Sequence, residues 1–143
     1  MIGQGNSNNE ILQDLLKEEQ HESFLYPDTT AEVLTLTAGA VINTFGDWAQ
    51  LIPAISEAVY ISSINVETAS VIDKAYMVEL SYGADKTIIT RFRTRVSLAN
   101  IGFIKVASVR ADVVPKGEII YYRMMCETGL ATLTGHARYF YNS

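Results

Sequence analysis

Apolar and polar positions change period near Pro27. Before it, Ile11, Leu12, Leu15 and Leu16 recur at helical spacing and form one narrow apolar stripe, while Glu10, Asp14, Lys17 and Glu18 fall elsewhere on the surface. Ser7 and Glu10 stand at the S-x-x-E spacing of a capping box, in which each residue satisfies a free backbone donor near the other. The pattern therefore predicts a short amphipathic helix that ends by Tyr26, because the residue before a proline is pushed out of helical geometry. The residues ahead of it, Met1 to Asn9, are small and polar, as expected of a terminus ordered by a partner or not at all.

Beyond Pro27 the period is two. Tyr76, Val78, Leu80 and Tyr82 share one face of an expected strand, with Glu79 and Ser81 on the other. A turn at Gly83 to Lys86 leads to a second strand, Thr87 to Leu98, with Ile88, Phe92 and Val96 on one face and Arg91, Arg93 and Arg95 on the opposite one. Further β-rich runs are Val33 to Thr37, Val59 to Val66, Phe103 to Val109, Glu118 to Cys126 and Leu130 to Tyr141. Many short strands at regular intervals predict an all-β antiparallel sandwich or barrel, and the fold expected is a jelly-roll-like antiparallel β-sandwich. The stretch Asn43 to Ala58 is two-sided. Trp48, Leu51, Ile52 and Ile55 have helical spacing, but Gly46 and Pro53 inside it oppose a helix, and two strand-like pieces broken at Pro53 are expected.

The 143 residues hold one core, divided here into an N-terminal arm over 1–28 and a sandwich over 29–143. A chain of this size buries roughly 68–70% of its unfolded surface and needs no staple; the single Cys126 can supply neither an internal disulfide nor a cysteine zinc site. Charged residues make up 19%, against the typical level of about 25%, so part of the surface is expected to be covered by partners. A net charge of -5 argues against nucleic acid or an anionic membrane as the partner. The polar start and the lack of a run of about 20 apolar residues give the expectation of no secretory signal and no membrane helix.

Few residues carry a reaction signature. His21 and His136 stand in no catalytic motif, Cys126 sits in an apolar β run, and the carboxylates do not cluster as a cation loop would require. The expectation is no catalytic residue, no metal and no cofactor. The strongest charge feature is the stripe Arg91, Arg93 and Arg95, with side chains about 7 Å apart on one strand face. It suits phosphate or carboxylate groups, and in an acidic chain the favoured reading is a salt-bridge patch toward a neighbouring strand or subunit. Tyr121, Tyr122, Tyr139 and Tyr141 are candidates for core and interface, or for stacking on sugars.

Two resemblances follow from particular residues. The stretch Ala38 to Ala49 resembles the G-G-x-x-x-x-x-x-D-x-A signature of hot-dog thioesterases, which implies a long helix around Trp48, acyl-coenzyme A as substrate and Asp47 as the catalytic carboxylate. From about Leu34 to Tyr141, the order of features is similar to a β-sandwich domain of tailed-phage virion proteins. Those features are the segment Asn43 to Trp48, the Gly83-Ala84 turn before Ile88 and Ile89, the turn Pro115 to Gly117 opening a strand that reaches Arg123, and a last strand of small and aromatic residues. This second resemblance implies a non-enzymatic structural component that assembles as a homo-oligomer, often a trimer, on capsid, neck or tail proteins of the virion.

The leading expectation is therefore a virion accessory protein with no nucleic-acid or membrane partner, docking through Ile11, Leu12, Leu15 and Leu16 of its arm. A narrow leucine stripe on so short a helix is marginal in water and needs a partner to bury it. The alternatives are the hot-dog thioesterase or acyl sensor, and a carbohydrate-binding sandwich.

Overall fold

Among the described residues, those that alternate in period two form nine strands, and their apolar faces close on a single core. The computed structural model describes residues 23–29, 31–97 and 100–142. The strands are β1 (Ser23–Tyr26), β2 (Leu34–Thr37), β3 (Ala49–Ile52), β4 (Val59–Ala69), β5 (Ala75–Tyr82), β6 (Thr87–Arg95), β7 (Asn100–Ser108), β8 (Ile120–Cys126) and β9 (Thr132–Tyr141). One sheet runs β1-β9-β4-β7, with β2 also paired to β9, and the other runs β3-β8-β5-β6. Every pairing between these strands is antiparallel. No helix occurs among the described residues.

The core is built from both sheets. Ile61, Ile64, Val66, Leu133 and Ala137 come from one, and Tyr76, Val78, Leu80, Ile120 and Met124 from the other. Burying each large aliphatic side chain contributes roughly 1.5–3 kcal/mol, so this shared layer is the main stabilising term. Two tyrosines also tie the layers down. Tyr122 sends its hydroxyl to the backbone of β2, accepting from the Thr37 amide at 3.0 Å and donating to the Thr35 carbonyl at 3.4 Å. The Tyr76 hydroxyl donates to the Val71 carbonyl at 2.7 Å and fixes the β4–β5 connection.

Several details differ from the pattern-based expectation. Ser23 to Tyr26, assigned to the arm from the sequence, pair with Phe140 to Ala137 as the edge strand β1. Phe24 stacks on Tyr139 at 5.6 Å and meets Tyr141 at 4.9 Å, which gives these residues a burial that the arm could not offer. The helix expected ahead of this strand, with Ile11, Leu12, Leu15 and Leu16, lies outside the described residues. On β6 the predicted inward Ile88 is 46% exposed and Ile89 is 5% exposed. The register shift between Leu80 and Ser81 is the reason, since one extra residue in β6 inverts its alternation. Around Trp48, chain that would be helical in the thioesterase reading is irregular to residue 48 and then runs as β3, ending before Pro53. The hot-dog expectation is thereby corrected, and with it the assignment of Asp47 as a catalytic residue on a helix.

Strand β9 is crossed most tightly at Gly135. A Cβ there would lie 1.8 Å from the Asn65 carbonyl oxygen, backbone against backbone. Gly135→Ala is expected to destabilise the protein by at least the roughly 1–3 kcal/mol of ordinary overpacking, measured as a lowered urea midpoint; an unchanged midpoint would contradict this β4–β9 packing.

Candidate functional site

The polar face of β5 is where the structure concentrates its charge. Glu79 lies opposite Arg91 of β6 and Arg123 of β8 in the ladder. Its Oε2 accepts from Arg91 Nε at 2.8 Å and from Arg91 Nη2, and its Oε1 accepts from Arg123 Nε at 2.8 Å and forms an ion pair with Arg123 Nη2 at 2.5 Å. The carboxylate is 1% exposed although it stands on the outer face of its sheet. Alternation predicted Glu79 and Ser81 on a polar face; both are buried, and Ser81 Oγ has no hydrogen-bond partner.

The cover comes from the loop between β2 and β3. Gly39 and Gly46 both donate to the Met124 carbonyl, at 3.0 and 3.2 Å, and Asn43 donates to the Cys126 carbonyl at 2.9 Å. Those bonds pin the loop along β8 and carry its aromatic side chains over the arginines. Arg123 lies 4.4 Å from the Trp48 ring centre and 4.7 Å from that of Phe45, and Arg91 lies 5.7 Å from Phe45. Guanidinium groups stack well on aromatic faces, and an arginine partly shielded in this way holds its carboxylate more firmly than one in open water. Gly39 is obligatory for the approach, since a Cβ would come 2.5 Å from the Thr44 carbonyl.

Of the three arginines in the stripe, Arg91 takes part in the carboxylate clamp. Arg95 donates to the Asp73 carbonyl at 2.7 Å. Arg93 points to a separate cleft of about 280 Å³ that it shares with Asn43, Met77, Met125 and Glu127. The stripe is thus divided among three tasks. Period-two spacing located it; the carboxylate at its centre and Arg123 were missed, because only the β5–β6 and β5–β8 registers bring them together.

The remaining sequence candidates are scattered. Asp47 is exposed in the loop, Cys126 is buried, and His21 lies outside the described residues. His136 is buried on β9, with its Nδ1 2.9 Å from Glu67 Oε1, above a cleft of about 230 Å³ that Leu25, Pro27 and Asp28 also line. The four tyrosines form no common platform: Tyr121 lies under Lys86 at 4.0 Å, Tyr122 is in the core, and Tyr139 and Tyr141 pack with Phe24. Among the described residues, no group of three or more His, Cys, Asp or Glu could hold a metal ion.

No protein-family model matches the sequence, and no curated protein matches it. Similar solved structures include those of infectious bursal disease virus, Gt strain, at 11% identity and a TM-score of 0.41 over 84% of this chain and 32% of that one. The Gx strain of the same virus aligns at 14% identity and a TM-score of 0.36, covering 78% of this chain and 32% of that one. The Clostridium thermocellum N-terminal endo-1,4-beta-D-xylanase 10B, as CBM22-1 and GH10 modules complexed with xylohexaose, aligns at 10% identity and a TM-score of 0.39, covering 85% and 26%. This chain spans a third or less of each of those chains.

Burial pushes the Glu79 carboxyl up, but hydrogen bonds from Arg91 and Arg123, with their charges, outweigh that and hold it below the ordinary carboxylate range. A lowered folded-state value means a contribution fully present above the unfolded value, near pH 4.3, and lost as pH falls through the folded one. Glu79→Gln is expected to cost roughly 1–3 kcal/mol at neutral pH, discounted for the partial exposure of both arginines, and to flatten the loss of stability in acid. Urea unfolding at a series of pH values checks this; parallel pH profiles for the two proteins would contradict the clamp.

Proposed function

We propose that this chain is a non-enzymatic structural protein of a tailed-phage virion, an accessory component of capsid, neck or tail. In this reading it oligomerises through its sandwich, as a trimer, and docks through the arm that carries Ile11, Leu12, Leu15 and Leu16. One observation carries the reading: the strand orders β1/β2-β9-β4-β7 and β3-β8-β5-β6. With β1 and β2 taken as one interrupted edge strand, these orders support an eight-stranded jelly roll, an architecture common among viral capsid domains.

Surface chemistry supports assembly as well. Val41, Ile42 and Leu130 are 64%, 58% and 64% exposed. The Leu130 amide donates to the Gly39 carbonyl at 3.1 Å, so these three apolar side chains belong to one end of the sandwich. An apolar tip left open to water is the kind of feature that a partner covers. Both lectin domains and capsid proteins use jelly rolls, but with the four tyrosines dispersed no observation favours the carbohydrate reading.

The full chain should run in light scattering at three times its 15.8 kDa mass; a monomer at micromolar concentration contradicts the oligomer. Deleting residues 1–22, which spares β1, should abolish co-sedimentation with virions while the β-sheet circular dichroism signal remains. Undiminished co-sedimentation would overturn the docking role of the arm.

A further inference from the structure

An apolar tip and an apolar cleft lie at opposite ends of the sandwich, and we infer that the tip of one copy seats in the cleft of the next, joining copies end to end. This contact builds on the oligomerising role proposed above and adds an axial interface to it. The tip is Val41 and Ile42 of the β2–β3 loop with Leu130 of the β8–β9 turn. The cleft, of about 160 Å³, is lined by residues 52–56 of the β3–β4 connection together with Val59, Tyr139 and Tyr141. Strand β9 starts beside the tip at Thr132 and ends at the cleft with Tyr141, so the two features stand roughly 30 Å apart at about 3.3 Å per residue. Backbone bonds agree: the Cys126 end of β8 receives the Asn43 amide of the tip loop at 2.9 Å, while the far end of β9 sends the Asn142 amide to the Ala58 carbonyl at 2.8 Å.

The tip is built as an anchor. Leu130 has a φ of 59°, a left-handed backbone that is costly for a leucine, and with its side chain mostly in water it gains little burial within the chain in return. Strain of that kind persists where a contact or a function uses it. The tip is also held in place, since the Leu130 amide donates to the Gly39 carbonyl at 3.1 Å and the Thr44 amide to the Val41 carbonyl at 3.3 Å. A pre-ordered anchor gives up little conformational freedom on binding.

Size and charge select a second copy as the occupant. An apolar cavity of roughly 150 Å³ admits a benzene ring, so the cleft has room for the four-carbon side chain of Leu130. No Asp, Glu, Lys or Arg occurs from Leu34 to Gly46 or from Thr128 to Gly135, and none lines the cleft. Copies that each carry a net charge of -5 repel, and these two uncharged ends are surfaces on which they can meet without opposing like charges. The ends face away from each other along β9, so the contact is heterologous and propagates as a stack. Three side chains cover far less than the roughly 800 Å² per partner of a stable pair. The contact is therefore weak singly and holds through repetition across a trimer, where three tips meet three clefts.

The test places a photoreactive side chain at the exposed rim of the cleft in the full-length protein, as Ser56→p-benzoylphenylalanine. Irradiation should give covalent products of two, three and more chain masses, with adducts mapped by mass spectrometry to Val41, Ile42 or Leu130. Leu130→Asp, which suits the left-handed backbone, and separately Ile42→Asp should each remove these products while the β-sheet circular dichroism signal remains. Adducts on residues 1–22, which would make the arm the occupant, adducts at other sites, no adduct, or products that survive both substitutions would each overturn the inference. A trimer in light scattering that gives no such products refutes the end-to-end contact and leaves the trimer standing, whereas a monomer that still gives them refutes the trimer and leaves the contact standing.

Discussion

A carboxylate buried on the outside of a sheet is the constraint around which one half of this protein is organised. Glu79 stands on the face of β5 that points away from the core, where a charged side chain would ordinarily be solvated. Instead it is closed over, and a buried charge is tolerable only when paired and hydrogen-bonded. Arg91 and Arg123 supply the pairing from the two flanking strands. Phe45 and Trp48 supply the cover, and the glycines at 39 and 46 allow the loop to lie close enough to β8 to deliver them. Remove any one of these contributions and the others lose their reason: the loop has no anchor, the arginines repel, or the carboxylate is left unpaired.

The same loop joins this clamp to the end of the sandwich. Val41 and Ile42 sit at its tip, beside Leu130 from the β8–β9 turn. Fixing Phe45 and Trp48 on the arginines thus also fixes the exposed apolar tip, so a polar network on one sheet sets the position of an apolar surface some residues away.

Much of this architecture was legible in residue order. The alternation of Tyr76, Val78 and Leu80, the turn at Gly83 and the period of the arginine stripe follow from rules that act over a few residues, and the strands stand where those rules put them. What was not legible depends on partners distant in sequence. Glu79 reads as a solvent-facing acid until Arg123, 44 residues away, is set beside it by the β5–β8 register. Ile88 reads as core until a bulge inverts its strand. Ser23 to Tyr26 lack the length to announce a strand, and their pairing with β9, with Phe24 stacked on Tyr139, is a long-range partnership. The thioesterase-like motif around Asp47 failed for a related reason: a short match carries no information about whether the chain can be helical there, and Gly46 and Pro53 decide that it is not.

The clamp makes a demand that hydrogen exchange can read directly. Arg123→Lys keeps the charge but removes the planar fork that both grips Glu79 and stacks on Trp48. Exchange of the Gly39 and Gly46 amides, which donate to the Met124 carbonyl, should speed up strongly in this variant while the β5 amides, paired on both sides, stay protected. If the loop amides keep their protection, or if loop and β5 lose it together, the loop is not held by the arginine clamp and the account of this face is wrong.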